Sequence, residues 1–177
     1  LSRHGFGRMF VLGIELTGEA SRPHRRIPRE VIASFGTHDL PTFAAFWQDL
    51  DFETRFSLGV LDAAGLESGR KEREEQRAAL VAYLRECGLL DEDDSVGVVF
   101  EAVLRLLAGS PARRVLVNLE DLWLETAPQN IPGTTGEQYP NWQQPAADPI
   151  EALPELPEVN RLLALMRDLR PKEGAHA

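Results

Sequence analysis

The chain has 177 residues, and 19 Lys and Arg against 28 Asp and Glu leave a formal charge of −9. A hydrophobic share of 43% with 27% charged residues excludes a disordered chain, and no apolar run approaches the roughly 18–20 residues needed to cross a bilayer. The acidic balance argues against a nucleic-acid or anionic-membrane partner, since either needs a basic face. The lone Cys87 excludes an internal disulfide and a multi-cysteine zinc site, as expected in a reducing compartment such as the cytoplasm.

The chain opens Leu1-Ser2-Arg3 without an initiator Met and without the basic-then-apolar pattern of a secretory leader. That is expected of a processed N-terminus or of a fragment whose upstream part is missing. Met9 to Leu16 is short, apolar and bounded by Thr17-Gly18, which predicts a buried strand. After a loop with Pro23, Pro28 and the basic cluster Arg22, His24, Arg25 and Arg26, a second apolar run at 31–36 predicts another strand. Thr42 to Gln48 is predicted helical, entered through Pro41.

The middle is a helical insert near 70–109. Leu80, Tyr83, Leu84 and Cys87 form one apolar stripe, stopped by Gly88, and Cys87 is expected in the core. Val99, Val103, Leu106 and Leu107 form the stripe of a second helix, capped at Asp94 or Ser95 and ended by Gly109-Ser110-Pro111. The mixed charges from Arg70 to Arg77 predict a solvated helix face. Arg114 to Leu119 predicts a third strand. Eight of the twelve prolines lie from Pro128 onward, so residues 125–150 are expected to be loop. A terminal helix is predicted at 158–170, with Leu162, Leu163, Met166 and Leu169 on one face.

Three short apolar strands separated by helical material predict an α/β class with βα units and a parallel sheet. Three strands cannot close a barrel, and alone they leave hydrophobic edges open. The pattern therefore suggests part of a larger α/β fold.

Thr37-His38-Asp39 directly follows the second apolar run, at the carboxyl end of a strand. Polar residues placed there line the active face of a (β/α) barrel or the crevice of an open sheet. A His beside a carboxylate suits vicinal sugar hydroxyls, because imidazole donates where Asp accepts. Both reach one ligand only if the chain turns between them. The plainer alternative is a strand-end His bonded to a nearby carbonyl and an Asp capping the next helix. A metal reading of the pair lacks partners, since the remaining histidines are His4, His24 and His176. No metal or cofactor is expected.

Glu15 inside a strand needs a partner or a function, and a salt bridge is the expected answer. Glu120 and Asp121 follow the third strand and are expected to cap the short segment after it. Trp123, Tyr139 and Trp142, near a Gly/Pro-rich loop, either stack on sugar rings or pin the loop to the body.

Two stretches together are more specific than either alone. Ala33-Ser-Phe-Gly-Thr-His-Asp-Leu-Pro-Thr-Phe-Ala-Ala-Phe-Trp47 resembles the Thr-His-Asp-Leu-Pro-Thr signature of the amylomaltases, or 4-α-glucanotransferases. Val117-Asn-Leu-Glu-Asp-Leu-Trp123, Gln129-Asn-Ile-Pro-Gly-Thr-Thr135 and Tyr139-Pro-Asn-Trp142 resemble that family's closing segment in the right order. The resemblance runs from about Arg8 to Met166. It implies that residues 1–177 are the C-terminal part of a single catalytic TIM (β/α)8 domain of the α-amylase superfamily, with inserted helices.

The implied reaction is a retaining double displacement between α-1,4-glucan or maltooligosaccharide donors and acceptors, with an Asp nucleophile and a Glu acid/base. Matched residue by residue, Asp39 is implied as the transition-state-stabilising carboxylate and His38 as its substrate-binding neighbour. The three strands correspond to roughly the sixth to eighth of the barrel. The nucleophile and the acid/base belong to the fourth and fifth, and no segment here matches them. The family usually continues Pro-Asn-Trp with basic residues, whereas this chain has Gln143-Gln144-Pro145. An α-glucan hydrolase of the same superfamily and a non-catalytic glucan-binding remnant are the alternatives.

Overall fold

The computed structural model describes residues 7–170. Three parallel strands, β1 (Arg8–Val11), β2 (Val31–Ser34) and β3 (Arg114–Val115), form a sheet in the order β1-β2-β3. Phe10, Ala33 and Val115 stand in register. Phe10 and Ala33 are fully buried, while Met9, one residue earlier, is 50% exposed. Val11 and Ser34, further along the strands, are buried as well, so exposure in β1 is confined to its start and β2 is covered almost throughout, as its apolar run suggests.

The first strand is shorter than the predicted 9–16. It ends at Val11, and Leu12–Glu15 form a single helical turn, α1. The cause is a close approach. The Gly13 amide donates to the Phe35 carbonyl at 2.8 Å, and a β-carbon on Gly13 would sit 3.1 Å from that oxygen. The third strand is likewise shorter than 114–119. Its residues bend away after Leu116, whose amide donates to the Ala33 carbonyl, and Leu119–Trp123 become a 3₁₀ turn.

Helix α2 (Phe43–Trp47) follows β2, as its sequence predicts, with the Thr42 hydroxyl capping the Ala45 amide. Helix α3 (Leu50–Ser57) was not predicted, because its buried face carries Asp51 rather than an apolar stripe. Helix α4 (Ala63–Glu86) begins at the Asp62 cap, earlier than residue 70. Its charged stretch is not all solvated. Arg73 is buried, gripping both Asp51 oxygens at 2.9 and 3.1 Å and lying 4.0 and 4.2 Å from the Phe46 and Phe52 ring centres. Cys87 is not core: it caps the C-terminus of α4, and although Leu84 of the last turn is fully buried, Cys87 is exposed.

Helix α5 (Val96–Ala108) is the central core element. Val99, Phe100, Val103, Leu104 and Leu107 are at most 1% exposed. Each such side chain contributes roughly 1.5–3 kcal/mol. After the 124–149 connection and a short 3₁₀ segment (Ile150–Glu155), helix α6 (Pro157–Leu169) packs on α5. Its buried face is Val159, Leu162 and Met166, whereas Leu163 and Leu169 lie off that stripe and are exposed. No helix among the described residues is long and apolar enough to cross a membrane.

Candidate functional site

β2 delivers its chain to the carboxyl edge of the sheet and then turns. The Thr37 carbonyl accepts from the Leu40 amide at 3.0 Å, and the Thr37 hydroxyl accepts from the Asp39 amide at 3.3 Å. This hydroxyl-stabilised turn supplies the reversal that an extended dipeptide lacks. His38 and Asp39 therefore point to one side, with Nε2 of His38 3.4 Å from a carboxylate oxygen of Asp39. Their side chains are 66% and 55% exposed, so neither is satisfied by burial in the core.

The connection after the 3₁₀ turn completes the cluster. Asn130 donates its side-chain amide to the other Asp39 oxygen at 2.7 Å. Trp142 lays its indole near the His38 ring, with centres 5.4 Å apart, and is itself 59% exposed. Trp142 has φ 62°, a left-handed conformation that costs about 1–3 kcal/mol for a bulky residue.

Surrounding bonds hold it there. The Trp142 amide donates to the Gln129 carbonyl at 2.8 Å, and the Asn141 side chain accepts from the Ile131 amide at 2.9 Å. The Tyr139 hydroxyl donates to the Pro128 carbonyl at 2.6 Å, so Tyr139 pins the loop while Trp142 is left free. Between this loop, the Asp39 turn and α3 lies a cavity of about 170 Å³, bordered by Asp39, Thr54, Arg55, Asn130 and Ile131. It is smaller than ordinary small-molecule pockets, roughly 300–1,000 Å³.

The other candidates fall elsewhere. Glu15 pairs with Arg25 at 2.6 Å, the expected salt bridge. His24 is buried between the Phe10 and Tyr83 rings, with its Nδ1 donating to the Arg25 carbonyl. His4 and His176 lie outside the described residues. Among the described residues no three His, Cys, Asp or Glu side chains gather as metal ligands would. Trp123 is half-buried against the core rather than at the Asp39 turn.

Asp121 does not cap its own segment. It is 2% exposed and accepts from the Phe43 amide at 2.6 Å, across 78 residues of sequence. Burial pushes its carboxyl up to about 6, helped by neighbouring Glu120 and opposed by the hydrogen bonds from Phe43 and the Asn118 side chain. Neither Asp121's partner nor Asn130's role is marked locally. An Asn two residues before Pro132-Gly133 has the look of ordinary turn chemistry.

The comparisons with known proteins identify the family and the fold. The sequence model of the family described as 4-alpha-glucanotransferase (glycoside hydrolase 77) matches residues 1–149. A 4-alpha-glucanotransferase of Mycobacterium tuberculosis (strain H37Rv) is 40% identical over 133 residues, 72% of this chain and 18% of the relative. The Haemophilus influenzae 4-alpha-glucanotransferase is 32% identical over 131 residues, 70% of this chain and 19% of the relative. The chain thus spans under a fifth of the length of these curated relatives.

Two solved structures share the fold. Amylomaltase from Corynebacterium glutamicum superposes with a TM-score of 0.79 at 24% identity, over 94% of this chain and 26% of that one. Amylomaltase from Streptococcus agalactiae in complex with acarbose gives 0.59 at 22% identity, over 96% and 27%. With the family model matched over residues 1–149 and the His38–Asp39 turn at the carboxyl edge of a parallel α/β sheet, this chain belongs to the glycoside hydrolase 77 family of 4-alpha-glucanotransferases.

Proposed function

We propose that this chain is the C-terminal part of the catalytic (β/α)8 domain of a 4-α-glucanotransferase, which moves α-1,4-glucan segments between maltooligosaccharides by a retaining double displacement. The observation that carries the reading is the exposed quartet of His38, Asp39, Asn130 and Trp142 at the carboxyl edge of the parallel strands. In that reading Asp39 is the transition-state-stabilising carboxylate. Its two oxygens, oriented by Asn130 and His38, accept from sugar hydroxyls and oppose the positive charge that develops on the ring.

His38 donates to a neighbouring hydroxyl, and the Trp142 face offers an apolar platform for a pyranose. The exposed Met9 on β1, and a cavity beside Asp39 too small for a sugar chain, fit a barrel whose other strands carry the nucleophile Asp and the acid/base Glu. The 177 residues alone are then catalytically inert, since nucleophile and acid/base each supply orders of magnitude. Exposed, unpaired Cys87 suits a reducing, cytoplasmic setting.

The test is product analysis of the full-length protein with maltotriose. A ladder of longer and shorter maltodextrins supports transfer, whereas a net gain in reducing ends means that water is the acceptor. In the same protein Asp39→Asn should leave folding intact and raise the barrel's catalytic barrier by about 2.7–4 kcal/mol, the scale of a lost electrostatic group. A normal rate in that variant would remove Asp39 from the site.

A further inference from the structure

We infer that Asp121 is a positioning residue for the site, setting the aim of the His38–Asp39 turn through the Phe43 amide; this rests on the reading of Asp39 given above. The turn spans Gly36 to Thr42, and both of its ends meet the segment that follows β3. At its start, Gly36 lies against Asn118, so closely that a β-carbon would sit 3.4 Å from the Asn118 amide nitrogen. At its finish, the buried Asp121 carboxylate takes the Phe43 N–H at 2.6 Å.

The Phe43 ring is already fixed by the core. It is fully buried, 4.8 Å from the Phe35 ring centre and 4.9 Å from that of Phe100. Ring packing settles where residue 43 sits, and the carbonyl of the peptide before it accepts from the Phe46 amide at 2.9 Å, which ties that peptide to α2. The Asp121 bond ties the N–H side of the same peptide to the segment after β3, and so fixes the direction in which the chain arrives from Asp39, Leu40 and Pro41 relative to that segment. The Phe43 amide donates to one Asp121 oxygen, and the Asn118 side chain beside it also favours the carboxylate.

The same segment runs on to Asn130, which grips Asp39 directly. The two loops are therefore tied twice, once in the core and once at the surface. Ionised or not, Asp121 touches no substrate; buried at 2% exposure, it acts through the turn.

The experiment is a double-mutant cycle in the full-length protein, with maltotriose as substrate. Asp121→Ala should lower kcat by ~10²-fold, the scale of an ångström-sized misplacement, with KM nearly unchanged. Asp121→Asn, which keeps one acceptor, should lose ~10-fold. In the Asp39→Asn background, Asp121→Ala should add no more than about a twofold loss, because it works only through Asp39.

Losses that multiply in the double variant, or a wild-type kcat in Asp121→Ala, would overturn the inference while leaving Asp39 in place. A wild-type rate in Asp39→Asn alone would remove both. Should Asp121→Ala not fold, the Asp121→Asn and Asp39→Asn pair gives the same cycle: non-additive losses support the inference and multiplied losses sink it.

Discussion

Asn130 holds Asp39 by a 2.7 Å hydrogen bond across 91 residues of sequence. The two side chains belong to loops from neighbouring parallel strands, so the bond joins the carboxyl ends of β2 and β3 where α/β proteins place their ligands. A carboxylate that is half exposed has several rotamers open to it, and this bond selects one. Asn130→Ala should reduce kcat of the full-length protein about 10-fold, equal to ~1.4 kcal/mol of barrier, with the melting temperature unchanged. Steady-state kinetics beside a thermal melt checks this; an unaltered kcat would mean that Asp39 is oriented by other groups.

Trp142 provides a second test because its two features separate. Its indole is exposed beside His38, and its backbone is held at φ 62°. An aromatic face against a sugar ring contributes on the order of 1 kcal/mol, so Trp142→Ala should raise KM for maltotriose roughly fivefold while kcat changes less. Trp142→Gly should raise KM equally but tolerate the left-handed backbone better than Ala does. An equal KM in all three proteins would leave the platform without a role.

The sequence made some of this legible and concealed the rest for a physical reason. The helix after β2 is a local device decided within a few residues, and the structure contains it, although it starts at Phe43 with Thr42 as its cap, which leaves Pro41 just outside the first turn. The reversal at Thr37-His38-Asp39 is likewise made locally, by the Thr37 hydroxyl. The end of β1 was hidden because what stops it is the Phe35 carbonyl, 22 residues downstream. Helix α3 was hidden because its inward residue is Asp51, which is buried only because Arg73 of α4 meets it there. Asp121 looked like a cap for its own turn, yet its bond goes to Phe43 on the other side of the sheet's connection. The features that escape a linear reading are pairings between distant polar groups, which carry no periodicity.

The Arg73–Asp51 pair predicts an asymmetry in stability. Arg73 is enclosed by two aromatic rings, donates to the Phe46 carbonyl at 2.9 Å as well, and has a second acid, Asp49, at 3.8 Å. Arg77 beside it bonds Asp49 and the Trp47 carbonyl, so the α2–α3 junction is held by two guanidinium groups. Arg73→Ala strands the buried Asp51 charge and should cost about 3–5 kcal/mol. Replacing both partners, Arg73→Met with Asp51→Leu, should cost clearly less, because no uncompensated charge remains. Calorimetric melts of the full-length variants decide it, and a double variant as unstable as the single one would contradict the account.

Asp121 predicts a pH dependence with a definite sign. Its carboxyl titrates near 6 when folded, raised mainly by burial and also by Glu120, against an ordinary value of about 3.9 when unfolded. The folded protein therefore binds this proton more tightly than the unfolded chain does. The stability linked to it is fully present below about pH 4 and is lost as pH rises through 6. The whole change is of order 3 kcal/mol. Asp121→Asn carries no titrating group, so the melting temperature of the wild type minus that of the variant should fall between pH 4 and pH 7 and level off above. The comparison cancels every other titration in the protein. A difference that stays flat across that interval would show that the Asp121 carboxyl keeps an ordinary acidity, its hydrogen bonds offsetting its burial, and one that rises with pH would show that those bonds outweigh it.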